Sequence, residues 1–204
     1  MRTTALCIIL VAYSIPARAA AQEPERRWAL RLDVSRDAFS GGSIDTTAIP
    51  GTEVEVTPAP RLAFEAGVSR GLGVWRISLT GGYAAGGLRA KSPALIVDDR
   101  TGDVTRYRAG LLVSRRLIRR GAGSLLLLAG PAVDHWSISG IGDRTTLSAR
   151  VGLSTWVSLG GFALENSVAF GLGGSPFRRR DLPVEAGIRR LRTWSFGTGI
   201  RLPL

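Results

Sequence analysis

The feature that most constrains this chain is a period-two alternation that recurs along it after residue 21 and runs to the C-terminus. In the last stretch Leu204, Leu202, Ile200, Thr198, Phe196 and Trp194 share one parity, while Arg201, Gly199, Gly197, Ser195 and Thr193 share the other. Successive side chains of a strand point to opposite faces, so such a segment reads as a β-strand with two unlike faces. The same reading predicts strands over 27–36, 60–70, 74–84, 105–116, 124–135, 145–158, 162–172 and 190–202. One face is large and apolar, as in Trp28, Leu30, Leu32 and Val34, or Trp75, Ile77, Leu79 and Tyr83. In the fifth segment the run Leu125 to Leu128 hides the parity, and Pro131, which has no amide donor, predicts a bulge or a lost ladder bond.

The connections between these segments alternate in length. Residues 37–59, 85–104 and 173–189 are long and 136–144 is intermediate, whereas 71–73, 117–123 and 159–161 are short. After residue 21 no stretch approaches the roughly 20 apolar residues of a membrane helix, so a chain like this crosses a bilayer only as a closed barrel. Short turns on one side and long loops on the other are the architecture of outer-membrane barrels, with the short side in the periplasm.

Alternation alone does not choose the inside, because a soluble lipocalin-like ligand carrier also alternates, with its apolar face inward. The second parity decides. It is dominated by Gly, Ala and Ser, with Thr80, Leu112, Trp156 and Thr193 as exceptions, and it carries Arg31, Asp33, Arg61, Glu65, Arg76, Arg106, Arg108, Arg150, Glu165 and Arg201. A water-facing exterior has no reason to be so small, whereas the lumen of an eight-stranded barrel is just wide enough for side chains to fill. The expected fold is therefore all-β, an eight-stranded antiparallel up-and-down transmembrane β-barrel, with its greasy face toward lipid. Trp28, Trp75 and Phe162 then mark one interfacial belt, and Tyr83, Tyr107 and Trp194 the other.

Residues 1–21 have the form of a secretory signal peptide: Arg2, an apolar run from Ala5 to Ile15, and Ala19 and Ala21 before Gln22. Cleavage after Ala19 fits nearly as well as after Ala21, and an uncleaved anchor is disfavoured by the short apolar run. Residues 22–204 form the barrel domain and contain no cysteine, since the only one is Cys7. This excludes a disulfide scaffold and thiolate metal sites. The leader takes Arg2 and Arg18 from a chain with formal net charge +11, leaving +9. So basic a chain suggests a nucleic-acid binder. The export signal and the absence of a nucleic-acid motif exclude that reading.

The C-terminal strand resembles the closing strand of bacterial outer-membrane barrels, which implies recognition by the barrel assembly machinery. Over the whole mature chain the pattern is similar to the OmpA membrane domain and the OmpX family. That resemblance implies an outer-membrane location, a monomeric state, no cofactor and a lumen plugged by an Arg and Glu network. Here Glu65 and Glu165 are the expected hubs for Arg76, Arg106 and Arg150, with Arg31 in the same lumen. In the last long loop Arg178, Arg179 and Arg180, with Arg189 and Arg190, make a basic rim whose guanidinium forks suit the phosphates of lipopolysaccharide. Arg115, Arg116, Arg119 and Arg120 flank a short turn and read as solvated interface residues. His135 and Ser137 resemble, in type and spacing, residues of outer-membrane lipid A deacylases, the alternative hydrolase reading. Ile138 and Ala149 stand where that family has Asn and Glu. The Gly pairs lack the Lys-Ser/Thr of a phosphate loop, and Asp98, Asp99 and Asp103 lack calcium-loop spacing.

Overall fold

The structure is a computed structural model that describes residues 28–49, 52–99, 103–181 and 186–204. The signal sequence expected over 1–21 lies outside the described residues. The strands are β1 (Trp28–Ile49), β2 (Thr52–Pro58), β3 (Arg61–Leu72), β4 (Trp75–Gly86), β5 (Leu88–Lys91), β6 (Ile96–Asp98), β7 (Val104–Arg120), β8 (Gly123–Ile138), β9 (Gly142–Ser158), β10 (Ala163–Gly173) and β11 (Gly187–Pro203).

Eight of them, in the order β11-β10-β9-β8-β7-β4-β3-β1, pair antiparallel, and the pairing of β1 with β11 closes the ring. Hydrogen-bonded partners followed once around that ring from Thr155 pass through Asn166, Thr198, Val34, Phe64, Tyr83, Tyr107 and His135 to Thr145. The path returns to β9 ten residues from its start, a shear number of ten for eight strands. With about 3.3 Å per residue and about 4.8 Å between strands, that stagger tilts the strands by roughly 40°.

The ring matches the expected eight-stranded barrel, and its orientation is the expected one. Phe64 and Phe196 are each 55% exposed and Leu79 is 66% exposed, while Arg31, Arg61, Arg76, Arg106, Glu165 and Arg201 are buried. Between the aromatic belts the outer face is mostly Leu, Val, Ile, Phe and Ala, interrupted by Thr155, Asn166 and Thr198, a band suited to hydrocarbon. In β8 the lipid parity belongs to Leu127, Val133 and His135, and Leu126 and Leu128 turn inward. The β7–β8 ladder skips Leu111 and Leu112 opposite Gly130 and Pro131, and a bulge inserts Leu117 between Arg116 and Ile118. Gly130 permits the close approach at the gap, because a methyl group there would stand 1.9 Å from the Leu111 carbonyl oxygen.

Two of the expected long loops are instead β-structure. β1 does not end at residue 36 but continues to Ile49, past a bulge where Gly41 and Gly42 take positive φ. Its outer half pairs with β2, β2 with β5 and β5 with β6, and these strands form a sheet standing beyond the outer belt. The Glu55 carboxylate accepts the Gly41 amide, and Arg89 clamps Asp98 at 2.5 and 2.8 Å. That bidentate bond holds the Arg89 guanidinium above its ordinary pKa. These strands were illegible because β5 and β6 have only four and three residues, too few to show a period, and because the buried side of the sheet carries polar residues such as Ser43 and Thr57 as well as Ile44 and Val54.

Candidate functional site

The stagger of ten residues carries side chains that are distant in sequence to the same height in the lumen, where they stack in layers. At the tight-turn end Trp156 packs with Leu126 and Ala163, and the Arg76 guanidinium lies 5.2 Å over the Trp156 ring. Above it Arg201 donates to Glu165 at 2.6 Å, Arg31 reaches Glu165 at 3.9 Å, and Arg31 pairs with Asp33 at 2.5 Å. At mid-barrel Arg150 of β9 donates across the lumen to Glu65 of β3 at 2.8 Å. Next, Arg106 pairs with Asp37, and Arg108 holds Asp134 through two bonds of 2.7 and 3.1 Å. Ser195 donates to Asp37 at 2.7 Å and Ser148 to Asp134 at 2.5 Å. A cavity of about 20 Å³ lies among Asp37, Glu65, Arg106, Arg108 and Arg150, room for about one water molecule, and an open groove of about 680 Å³ runs along the wall at Leu32, Asp33, Phe64, Glu65, Gly82 and Gly199.

An apolar cap closes the outer end. Val104, Trp136, Ile138, Phe177 and Leu191 are buried together, and Phe39, Val56, Leu88 and Ile141 pack against them. Phe177 comes from the β10–β11 connection, which folds inward because Ser175 donates to the Gly42 carbonyl at 2.9 Å and accepts the Phe177 amide at 3.1 Å. Arg61 joins cap to ion pairs: it donates to the Val104 carbonyl at 2.9 Å and lies 5.4 Å over Phe39 and 5.9 Å over Trp136. Buried charges need such partners, because an unpaired one costs several kcal/mol.

The pairing differs from the sequence expectation at Glu165 and at Arg106. Glu65 takes Arg150 as expected, but Glu165 serves Arg201 and Arg31, and Arg106 goes to Asp37 and to Asp134 at 3.9 Å. Parity says only that a residue faces inward. Partner choice depends on the stagger and on the extension of β1 that brings Asp37 into the barrel. Trp136, Phe39 and Phe177 were likewise missed; the inward parity of Trp136 was the available signal.

The basic rim is spread out. Arg178 donates to the Asp143 carbonyl at 2.6 Å, Arg179 and Arg180 sit exposed in a 3-10 turn, Arg189 pairs with Glu53 at 3.0 Å, and Arg190 points outward. His135 and Ser137 share the outer parity of β8, but His135 Nδ1 lies 3.1 Å from Thr145 Oγ1. Among the described residues no hydrogen bond joins that His and Ser, and Asp134 faces the lumen. No group of three His, Cys, Asp or Glu among the described residues is placed to hold a metal.

No family profile matches the sequence, and no curated protein matches it either. Solved structures do. Neisserial surface protein A superimposes with a TM-score of 0.62 at 10% identity over 87% of this chain and 97% of that one. The chain is an eight-stranded β-barrel of the outer-membrane type. The barrel also aligns with Ail of Yersinia pestis, solved with the heparin analogue sucrose octasulfate, at TM-score 0.48 and 12% identity over 88% and 100% of the two chains. The N-terminal β-barrel domain of Pseudomonas aeruginosa OprF aligns at 0.46 and 11% over 88% and 99%. At these identities the likeness is one of fold, and the fold places the protein in the outer membrane, its apolar band in the hydrocarbon. The tight turns at Gly73, Gly121 and Gly160 lie at one end of the barrel and the β1-β2-β5-β6 sheet at the other.

Proposed function

We propose that this barrel is a sealed, non-conducting and non-enzymatic surface protein whose outer rim contacts anionic glycolipid. The observation that carries the reading is the filling of the lumen by three layers of ion pairs beneath a cap of Trp136, Phe177 and Phe39. An ion crossing it must break buried pairs and displace an apolar cluster, and nothing in the filled middle compensates its lost hydration. The lumen network is thus structural. The exposed guanidinium groups of Arg179, Arg180 and Arg190 suit the phosphates of lipopolysaccharide, with Arg178 and Arg189 anchoring the same rim to Asp143 and Glu53. In keeping with this role the protein acts as a monomer, inserted by the assembly machinery through β11.

Against the hydrolase alternative, among the described residues His135 engages Thr145 and makes no hydrogen bond to Ser137, and Asp143, opposite Ser137 on β9, makes none to His135. Conductance of the purified protein in planar bilayers tests the seal: a flat baseline is expected, and discrete openings overturn it. Lipopolysaccharide binding by the protein and by Arg178→Gln/Arg179→Gln/Arg180→Gln tests the rim. The triple variant is expected to bind more weakly, and unchanged binding removes those residues from the reading.

A further inference from the structure

One charged side chain stands on the lipid-facing wall itself. Arg36 of β1 is exposed on the outer parity, opposite Phe196 of β11 and Leu62 of β3, which are 55% and 58% exposed. With strands tilted by roughly 40°, each residue advances about 2.5 Å along the barrel axis and each ladder step from strand to strand about 3 Å. Counted in this way from the row of Val34, Trp194 of β11 and Tyr83 of β4 lie within about 2 Å of the depth of Arg36. Arg36 therefore sits at the outer aromatic belt, with Phe196 and Val34 on its membrane side. Arg192, also exposed, is two residues from Trp194 toward the rim, about 5 Å farther out. Among the described residues neither guanidinium has a carboxylate partner. A charge on the lipid face of a barrel is destabilising unless it reaches the interface, where an anion can meet it.

The groove of about 680 Å³ lies on the same wall. Its lining comes from the neighbouring strands β11, β1, β3 and β4 and from no strand across the lumen, so it opens toward lipid. Val34, Phe64, Tyr83 and Ile200 border a floor made by the register partners Ala66 and Gly81. A methyl group added at Gly81 meets nothing closer than 4.0 Å, so that floor is open. From Ile200 to Tyr83 the groove spans about 14 Å along the axis and ends at the outer belt. Arg36, two residues beyond Val34 on β1, stands at that upper end. Guanidinium groups at and above the belt over an apolar furrow below it match an amphiphile with phosphate at the interface and an acyl chain running inward.

We propose that the wall at β11, β1, β3 and β4 holds the phosphorylated, acylated anchor of a glycolipid, with Arg36 and Arg192 on its phosphates and an acyl chain in the groove. Arg192 is opposite Ser40, four residues from Arg36 along β1, or about 13 Å. The two guanidinium groups therefore engage separate phosphates of one headgroup. This site rests on the proposed glycolipid contact, which puts this end of the barrel outside, but it uses the wall where that contact uses the loop arginines Arg178 to Arg180.

The full mature chain, folded in detergent, is titrated with bisphosphorylated lipid A, with its monophosphorylated form and with phosphatidylcholine, and bound lipid is counted by native mass spectrometry. Wild type is expected to bind the bisphosphorylated form about tenfold more tightly than phosphatidylcholine, with the monophosphorylated form between them, as two arginines near a membrane surface support. Arg36→Gln/Arg192→Gln is expected to bind the three lipids alike, and Gly81→Leu, which fills the groove, to bind both forms of lipid A more weakly. Arg178→Gln/Arg179→Gln/Arg180→Gln keeps the wild-type order. Heat-modifiable gel mobility reports folding, and if the double variant does not assemble, Arg36→Gln alone is expected to lose part of the preference. Equal binding of the three lipids by wild type overturns the proposal, as does an undiminished preference in the folded arginine variant or undiminished lipid A binding by Gly81→Leu. If lipopolysaccharide binding is nevertheless weakened in the loop triple variant, the rim contact stands and only the wall site falls.

Discussion

Replacement of Glu165 by Gln tests the lumen most sharply. Glu165 is 4% exposed, accepts from Arg201 at 2.6 Å and faces Arg31 at 3.9 Å. The amide keeps the volume and removes the charge. Arg31 retains Asp33, but Arg201 loses its carboxylate partner and stays 3% exposed. Breaking one side of a buried pair costs about 3–5 kcal/mol, a factor of roughly 150 to 5,000 in the folding equilibrium. Replacing both partners by groups of similar volume can be close to neutral. The measurement is urea unfolding of the barrel in lipid vesicles, followed by tryptophan fluorescence and by gel mobility without heating. Glu165→Gln is expected to lose about 3 kcal/mol or more, and Glu165→Gln/Arg201→Met to recover at least about 1 kcal/mol of it, as directly interacting pairs do. If Glu165→Gln falls within about 0.5 kcal/mol of wild type, or the double variant is no better than the single, the ion pairs do not hold the barrel as described.

Trp136→Ala, which empties the cap, is expected to cost about 3–5 kcal/mol and to speed tryptic cleavage at Arg178–Arg180, since Phe177 loses its seat; an unchanged cleavage rate removes the cap from the account. Gly130→Ala would put a methyl group 1.9 Å from the Leu111 oxygen and should destabilise by about 1–3 kcal/mol. Gly161→Ala, with nothing within 4 Å of the new carbon, should change the same urea midpoint by less than about 0.5 kcal/mol. Ser137→Ala should leave the lipid A acyl pattern of expressing cells unchanged in mass spectrometry, and an altered pattern restores the hydrolase.

Much of the barrel was legible because a membrane wall imposes one rule on every strand: large apolar groups outward, small or paired groups inward. That rule identified the ring, its orientation and ten charges on the inward parity, but not Asp37, one residue past the end of the first expected strand, nor Asp134, in the segment whose leucine run hid the parity. It says nothing about register, so the partner of Arg106 could not be read from sequence, and it lapses outside the bilayer, where the outer half of β1, β2, β5 and β6 looked like loop. Arg36 illustrates a limit of pattern reading: it falls on the lipid parity beside Leu62 and Phe196, at the end of the first expected strand, where attention to inward charges passed over it. Phe177 was hidden for a different reason. A loop residue becomes core only once the barrel beneath it exists.

The central claim is the orientation of the wall. Because Cys7 is the only cysteine, a mature chain beginning at Gln22 accepts single-cysteine labels cleanly. A fluorophore placed in turn at 64, 65, 79, 80, 196 and 197 can be challenged with lipids brominated along the acyl chain. Strong quenching at 64, 79 and 196 with little at 65, 80 and 197 is the expected result; quenching at the second set, or none at the first, contradicts a barrel that turns Phe64, Leu79 and Phe196 to lipid.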